Sequence, residues 1–456
     1  MAVTTTESVT QEQQPNTQTP TDIERAPGRW INRWDPEDET FWQDGGRTIA
    51  RRNLVFSIFA EHLGFSVWVL WSIVVTYLPQ AGFALSVGQT FWLLSVPPLV
   101  GATLRLPYTF AVGRFGGRNW TIVSALLLIV PAAGLALAVN NPGTPFWALL
   151  LIAATAGFGG GNFASSMTNI TYFFPEREQG WALGLNAAGG NIGVAVVQAP
   201  IIVAAVVVAG GGLHLWRAGA MWIPLTLLAA FLAWRFMDNL TTAKSDFASS
   251  AAAAKRAQTW VMSFLYVGTF GSFMGYAFAF PTLIKTQFPE ITVANVAFLG
   301  ALVGSLARPI GGRLSDRIGG ARVTAASFVA MGAGVLWAVT AVKSHDFASF
   351  LAAFMLLFVA TGVGNGSTYR MIPAIFAAST PDHLTARRQG AAAIGIISAI
   401  GAFGGFLVPQ TFRWSVEHHG GIIPALYVYV GVYAVMLVVT WLFYLRRGAT
   451  MAKVGV

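Results

Sequence analysis

Apolar residues run through this chain in long stretches separated by short polar breaks. A helix needs about 20 mostly apolar residues to cross a bilayer. Twelve segments reach that length: 54–78, 88–112, 119–139, 145–173, 181–209 and 218–237, then 258–283, 293–313, 321–342, 347–372, 388–411 and 421–445. Backbone groups left unpaired in lipid are too costly for an open sheet, so these runs read as helices. The polar, Ala/Ser-rich stretch from Asp238 to Arg256 divides them into two sets of six. The pattern predicts an all-α membrane protein with bundles at 54–237 and 258–445, a linker at 238–257, and tails at 1–53 and 446–456.

Composition agrees with a surface that mostly avoids water. Of 456 residues, 55% are hydrophobic and 10% are charged, against roughly a quarter charged in a soluble protein. The formal charge of +9 does not point to nucleic acid, because the basic residues do not cluster with aromatics in a soluble domain. Cysteine is absent, which excludes disulfides and thiolate metal sites. No nucleophile–base arrangement, metal cluster or phosphate loop suggests an enzyme, and no cofactor or metal is expected.

Charge placement sets the expected orientation. With both termini cytoplasmic, Arg217, Lys285, Lys343 and Arg413 fall outside, Arg105, Arg308 and Arg370 fall within spans, and the other 21 of the 28 basic residues lie inside. The expected location is the inner membrane. Met1 to about Gly28 reads as disordered, and no secretory signal precedes the first span. The stretch Arg33 to Trp42 reads equally as a membrane-surface segment or a solvated tail.

The two sets repeat one another. Val100-Gly101-Ala102-Thr103-Leu104-Arg105 matches Val303-Gly304-Ser305-Leu306-Ala307-Arg308, and Gly116-Gly117 matches Gly319-Gly320, both at an offset of 203. Gly157-Phe158-Gly159 parallels Gly362-Val363-Gly364 at 205. Parallel six-helix halves are the mark of the major facilitator architecture. The segment Gly312 to Gly320, with Asp316 and Arg317, resembles the loop motif of that superfamily. The first-half copy, Gly113 to Arg118, lacks the Asp.

Arg105 and Arg308 carry the functional expectation. Each lies inside an apolar span, where a permanent cation costs several kcal/mol. Of 19 Asp and Glu residues, only Glu61 is clearly inside a span, about two turns from the cytoplasmic end of the first helix. Two like charges on one cavity with almost no fixed counter-ion make an anion site. Guanidinium offers paired donors suited to a planar oxyanion. The alternative is that these arginines snorkel or bond backbone carbonyls. Arg370, near the cytoplasmic end of the tenth span and without a repeat mate, reads as a snorkelling residue. Two glycine-rich stretches, Gly157 to Gly193 with Gly160 and Gly190, and Gly362 to Gly405 with Gly401 and Gly404, allow close helix packing. They could also slide as conformational surfaces.

At these residues the chain resembles the nitrate/nitrite porter family of the major facilitator superfamily. The resemblance spans nearly the whole chain. It includes Trp34-Asp35-Pro36-Glu37-Asp38 with Phe41-Trp42, Leu104-Arg105-Leu106-Pro107-Tyr108, and Gly161-Asn162-Phe163-Ala164-Ser165-Ser166-Met167-Thr168-Asn169-Ile170. Phe173-Phe174-Pro175, Phe270-Gly271-Ser272-Phe273, Lys285-Thr286-Gln287-Phe288-Pro289 and Ser398-Ala399-Ile400-Gly401 continue it. The resemblance implies transport of nitrate and nitrite by a monomer in the lipid bilayer. It implies that Arg105 and Arg308 clamp the anion. It implies that Phe65, Phe163, Tyr266 and Phe270 close around it, and that Asn191, as the Asn of the first signature helix, supports the site. Nitrate/nitrite antiport by rocking of the halves is the expected mechanism. Nitrate–proton symport, with His62 as a titratable group, and exchange of another oxyanion such as phosphate remain alternatives.

Overall fold

The computed structural model describes residues 23, 25–203, 210–243 and 247–447. The expected disorder of Met1 to Gly28 therefore falls mostly outside the described residues, as do most of the second tail and part of the linker. Among the described residues, twelve helices are long and apolar enough to cross a membrane. They are α1 Glu39–Tyr77, α2 Val87–Phe115, α3 Gly117–Ala138, α4 Phe146–Phe173, α5 Glu176–Gln198 and α6 Trp216–Phe236, then α7 Ala257–Gln287, α8 Val293–Ile318, α9 Gly320–Lys343, α10 Phe347–Ser379, α11 Arg388–His419 and α12 Ile423–Leu445.

Several ends differ from the apolar runs, for physical reasons. α1 starts well before residue 54, because Asp38 caps it by accepting from the Thr40 and Phe41 amides. The chain then stays helical through a kink at Gly45. α5 stops at Gln198, a short helix Pro200–Ile202 follows, and the end of the expected run, 204–209, lies outside the described residues. Ala199 is extended at ψ 138° ahead of Pro200, as a residue preceding proline prefers. α10 and α11 run past their apolar portions, since intrahelical hydrogen bonds do not require apolar side chains. Arg413 and Glu417, an i,i+4 pair 3.5 Å apart, sit in the added turns of α11.

The repeat is visible in the helix turns. α2 ends on Gly116 (φ 87°) and α8 on Gly319 (φ 91°), and each next helix begins one residue later. A side chain there would be strained by the positive φ. At Gly116 a Cβ would also meet Asn239 Oδ1 at 2.3 Å and Trp30 Cη2 at 2.8 Å. Gly116→Ala is therefore expected to cost about 1–3 kcal/mol, read as a lower unfolding midpoint of the detergent-purified protein. Gly157 and Gly362 do equivalent work. A Cβ on Gly157 would lie 2.7 Å from Gly101 N, and one on Gly362 would lie 2.2 Å from Gly304 O. The α2–α4 and α8–α10 pairs thus approach backbone to backbone.

In the stretch Arg33 to Trp42, Trp34 and Trp42 are buried while most residues between them are exposed. Strand β1 Arg25–Ala26 pairs antiparallel with β2 Trp30–Ile31, which pairs parallel with β3 Asn239–Leu240 from the linker. Trp34 packs edge-on against Phe173 with centroids 5.2 Å apart, and Trp42 against Phe174 at 5.7 Å. Trp42 Nε1 donates to Glu178 Oε1 at 3.0 Å. The linker adds a further helix, Phe247–Ala254. Asp238 is fully buried where these pieces meet. It is bonded by Arg25 (2.9 Å), Arg29 (2.8 Å) and Arg52 (2.5 Å), and it accepts from Asn53 Nδ2 at 3.3 Å.

Candidate functional site

The two arginines stand at repeat positions on α2 and α8, and both are buried. Arg105 Nε donates to Gly160 O on α4 at 3.2 Å, and Nη1 to Ser398 O on α11 at 2.8 Å. The backbone-carbonyl alternative therefore holds for two of its nitrogens. The second bond crosses from the first six helices to the second six. Arg105 Nη2 and Arg308 Nη1 are buried without any hydrogen-bond partner. Among the described residues, no carboxylate lies within 4.0 Å of either guanidinium.

Aromatic rings surround these cations. Arg105 Cζ lies 4.6 Å from the Phe163 centroid, 4.9 Å from Phe270 and 5.7 Å from Trp68. Arg308 Cζ lies 6.0 Å from Phe163 and 5.4 Å from Tyr369. Phe163 and Phe270 face each other at 6.3 Å with planes 23° apart. Tyr266 stacks on Phe270 at 5.3 Å and meets Tyr369 at 6.3 Å. Phe65 closes the set edge-on to Phe163 at 5.9 Å. Trp68, Phe163, Phe270 and Tyr369 present negative ring faces to guanidinium groups that have left water, where cation–π attraction is strongest. The Tyr266 hydroxyl lies beside Arg308 yet makes no hydrogen bond of acceptable geometry, and the Tyr369 hydroxyl also lacks a partner.

Local sequence explains the placement. A π-turn, Val267–Gly271, interrupts α7 between Tyr266 and Ser272. Such turns are frequent at functional sites because they re-aim side chains. Here it leaves Tyr266 and Phe270 stacked on one face. Glycines make room for the rings. A Cβ on Gly401 would meet Tyr266 Cδ1 at 2.3 Å, and one on Gly160 would meet Trp68 Cε2 at 2.4 Å. One on Gly404 would meet Gly271 Cα at 2.3 Å, and one on Gly190 would meet Glu61 Oε1 at 2.5 Å.

Among the expected site residues, Arg105, Arg308, Tyr266, Phe65, Phe163 and Phe270 are brought together. Asn191 is on α5, not on the helix that carries Gly161 to Ile170. It is buried with both amide atoms unpartnered, and it bonds neither arginine. Arg370 does not snorkel alone: its Nε donates to Asp316 Oδ1 at 2.6 Å. Arg317, in the last turn of α8, is exposed. Glu61 is not near the end of its helix, because α1 begins far upstream. It is fully buried, and its Oε2 accepts from Ser166 Oγ and from Asn186 Nδ2 (2.6 Å). The site thus contains an internal carboxylate, contrary to the expectation of an almost counter-ion-free cavity. Trp68 and Tyr369 were not expected. One of 16 Trp or 10 Tyr carries no positional signal in a chain this aromatic. Among the described residues no cluster of His, Asp and Glu could hold a metal.

Residues 56–288 and 262–455 match the family described as Major Facilitator Superfamily. The chain is 41% identical to "Nitrate/nitrite transporter NarU" of Escherichia coli (strain K12), covering 91% of this chain and 96% of that protein. It is 38% identical to "Probable nitrate/nitrite antiporter NarK2" of Thermus thermophilus, covering 94% and 99%. Among solved structures it superposes on a D-xylose–proton symporter with a TM-score of 0.65, at 17% identity over 85% of this chain and 96% of that one. That likeness concerns the fold alone. On this evidence the chain belongs to the nitrate/nitrite porter family of the major facilitator superfamily, a family of membrane transporters and not of enzymes.

Proposed function

We propose that this chain exchanges nitrate for nitrite by alternating access, with Arg105 and Arg308 clamping the anion inside the Phe65, Phe163, Phe270 and Tyr266 box. The observation that carries the reading is the pair of buried, unpartnered guanidinium nitrogens, Arg105 Nη2 and Arg308 Nη1, in that box. A buried donor without an acceptor costs free energy, and a flat oxyanion supplies acceptors to both arginines. Rings at 4.6–6.0 Å from the two guanidinium carbons favour a weakly hydrated planar ion over strongly hydrated phosphate. The names of the similar proteins support the same pair of anions.

Exchange follows from charge. Two permanent cations repel when the cavity closes empty, and a bound anion removes that penalty. Glu61 does not form an ion pair with either arginine, and its Oε2 accepts from Ser166 and Asn186 instead. Arg105 also reads the position of the second half through Ser398 O, and an incoming anion competes with that bond. In this reading the termini are cytoplasmic, the protein works as a monomer, and Gly160, Gly190, Gly401 and Gly404 are contact points over which the halves shift. Asn191 lies on the helix that packs against α8 and steadies that side of the cavity, while the Asp316–Arg370 pair, next to the exposed Arg317, acts as a surface latch at the α8 end. Counterflow in proteoliposomes tests the mechanism. Labelled nitrate is expected to enter only vesicles preloaded with nitrate or nitrite. Equal uptake into vesicles holding neither contradicts exchange.

A further inference from the structure

Arg25, Arg29, Arg52, Arg118 and Arg235 gather at the end of the first half that also carries β1, β2 and the linker. The first three share Asp238. Arg118 is the second residue of α3, and Arg235 lies in the last turn of α6. Among the described residues neither has a carboxylate within 4.0 Å. By contrast, Arg177 and Arg370 each hold a carboxylate of their own, Glu39 at 2.7 Å and Asp316 at 2.6 Å.

Helix capping accounts for part of the cluster. Arg118 Nε and Nη2 donate to Trp234 O at 3.0 and 2.7 Å. Arg29 donates to Met237 O at 2.7 Å and to Phe236 O at 3.3 Å. These carbonyls lie at the C-terminal end of α6, where a helix leaves its acceptors unpaired. Arg118 Nη1 takes Gly28 O and Asn119 Oδ1, which are also neutral. A helix C-terminus carries only about half a negative charge, so with Asp238 it leaves roughly three of the positive charges uncompensated. The fold does not require this excess. At the repeat offset of 203, Arg118 corresponds to Ala321, which follows the same kind of positive-φ glycine turn. Arg29 stands at φ 60°, a conformation that favours glycine.

A cleft of about 300 Å³ opens among Gly28, Arg29, Arg118, Trp234 and Arg235. Its lining holds three cations and no anion. Its rim is apolar. Trp234 and, one turn earlier on α6, Phe231 are each more than half exposed, with ring centroids 5.9 Å apart. Exposed tryptophan at the end of a membrane helix marks the headgroup level, and basic pockets between helices at that level suit anionic headgroups. We propose that this cleft binds an anionic phospholipid, its phosphate among Arg29, Arg118 and Arg235 and its chains along Trp234 and Phe231. A free phosphate ion shares the chemistry of the headgroup but has no use for the apolar rim. The bound lipid offsets the excess charge and holds the strands and the linker against α3 and α6.

Native mass spectrometry of the full-length protein in detergent tests this, with phosphatidylglycerol and phosphatidylcholine titrated separately. One phosphatidylglycerol is expected to be retained in preference to phosphatidylcholine. Arg235 lies over the Phe236 ring at 5.2 Å and makes no ion pair among the described residues, so its variants keep the fold. Arg235→Gln is expected to weaken phosphatidylglycerol binding about 5-fold and Arg235→Glu about 30-fold, the effects of one and two charges beside an anionic lipid. Arg322→Glu, at an exposed arginine of the second half, is expected to bind as wild type does. Equal loss in Arg322→Glu and Arg235→Glu means attraction by overall charge and overturns the site. Equal retention of the two lipids also overturns it, and leaves the arginines as caps of α6. Unfolding midpoints separate the two sources of phosphate. Phosphatidylglycerol is expected to raise the midpoint of wild type and not that of Arg235→Glu. An equal rise with millimolar inorganic phosphate overturns the lipid assignment. None of these readouts involves nitrate, so they stand or fall apart from the exchange reading.

Discussion

Replacing Arg105 by lysine will weaken nitrate binding by about 30-fold or more while leaving the protein folded. Arg105 holds Gly160 O and Ser398 O through two nitrogens and leaves a third, Nη2, without a partner. Its flat group also lies against Phe163 and Phe270. Lysine keeps the charge but concentrates its donors on one atom, so it cannot serve three directions or stack on two rings. Disrupting a buried, hydrogen-bonded charge pair costs roughly 2–5 kcal/mol, which sets the expected loss. Arg308→Lys should lose somewhat less, because Arg308 keeps no inter-half carbonyl bond and its rings are more distant. Nitrate titration of the purified variants, with thermal unfolding as the control for folding, reads both effects. Normal binding by both variants rules out a forked clamp.

The second large effect concerns stability rather than transport. Asp238→Ala will destabilise the protein by about 3 kcal/mol, the lower end for removing one partner of a buried ion pair. The carboxylate is the only acid shared by Arg25, Arg29 and Arg52 among the described residues, and it is fully buried. Its loss leaves three cations facing one another beside β2 and β3. The lower end applies because the arginines are themselves 24–33% exposed and partly hydrated. Arg25→Ala, by contrast, leaves two partners in place and is expected to cost less than about 1 kcal/mol, as exposed pairs do. Unfolding midpoints in detergent distinguish the two. Equal shifts would mean that Asp238 is not the hub.

The twelve helices and the two arginines were legible in sequence for the same reason. Apolar runs are sparse in charge, so a permanent cation inside one is conspicuous, and the offset of 203 residues shows it twice. The aromatic box was not legible without the family resemblance. At the offset of 205 that relates α4 to α10, Phe163 corresponds to Thr368 and Tyr369 to Ala164, and at 203 Phe270 corresponds to Val67. The arginines repeat and their surroundings do not. The π-turn that aims Tyr266 and Phe270 leaves no mark in composition. Glu61 was misplaced because an apolar run marks where lipid begins, not where a helix begins. α1 starts at Glu39, which puts Glu61 deep in the helix. The packing of Trp34 and Trp42 was missed because it depends on Phe173, Phe174 and a strand from the linker, partners distant in the chain. Arg370 was misread alone because its partner Asp316 is on another helix.

The proposed exchange rests on one anion held between two guanidinium groups. A structure of the protein bound to nitrate is the most direct test. The account predicts planar density within hydrogen-bond reach of Arg105 Nη2 and Arg308 Nη1, lying between the rings of Phe163 and Phe270. Nitrate bound elsewhere, with both nitrogens still unpartnered, would contradict it.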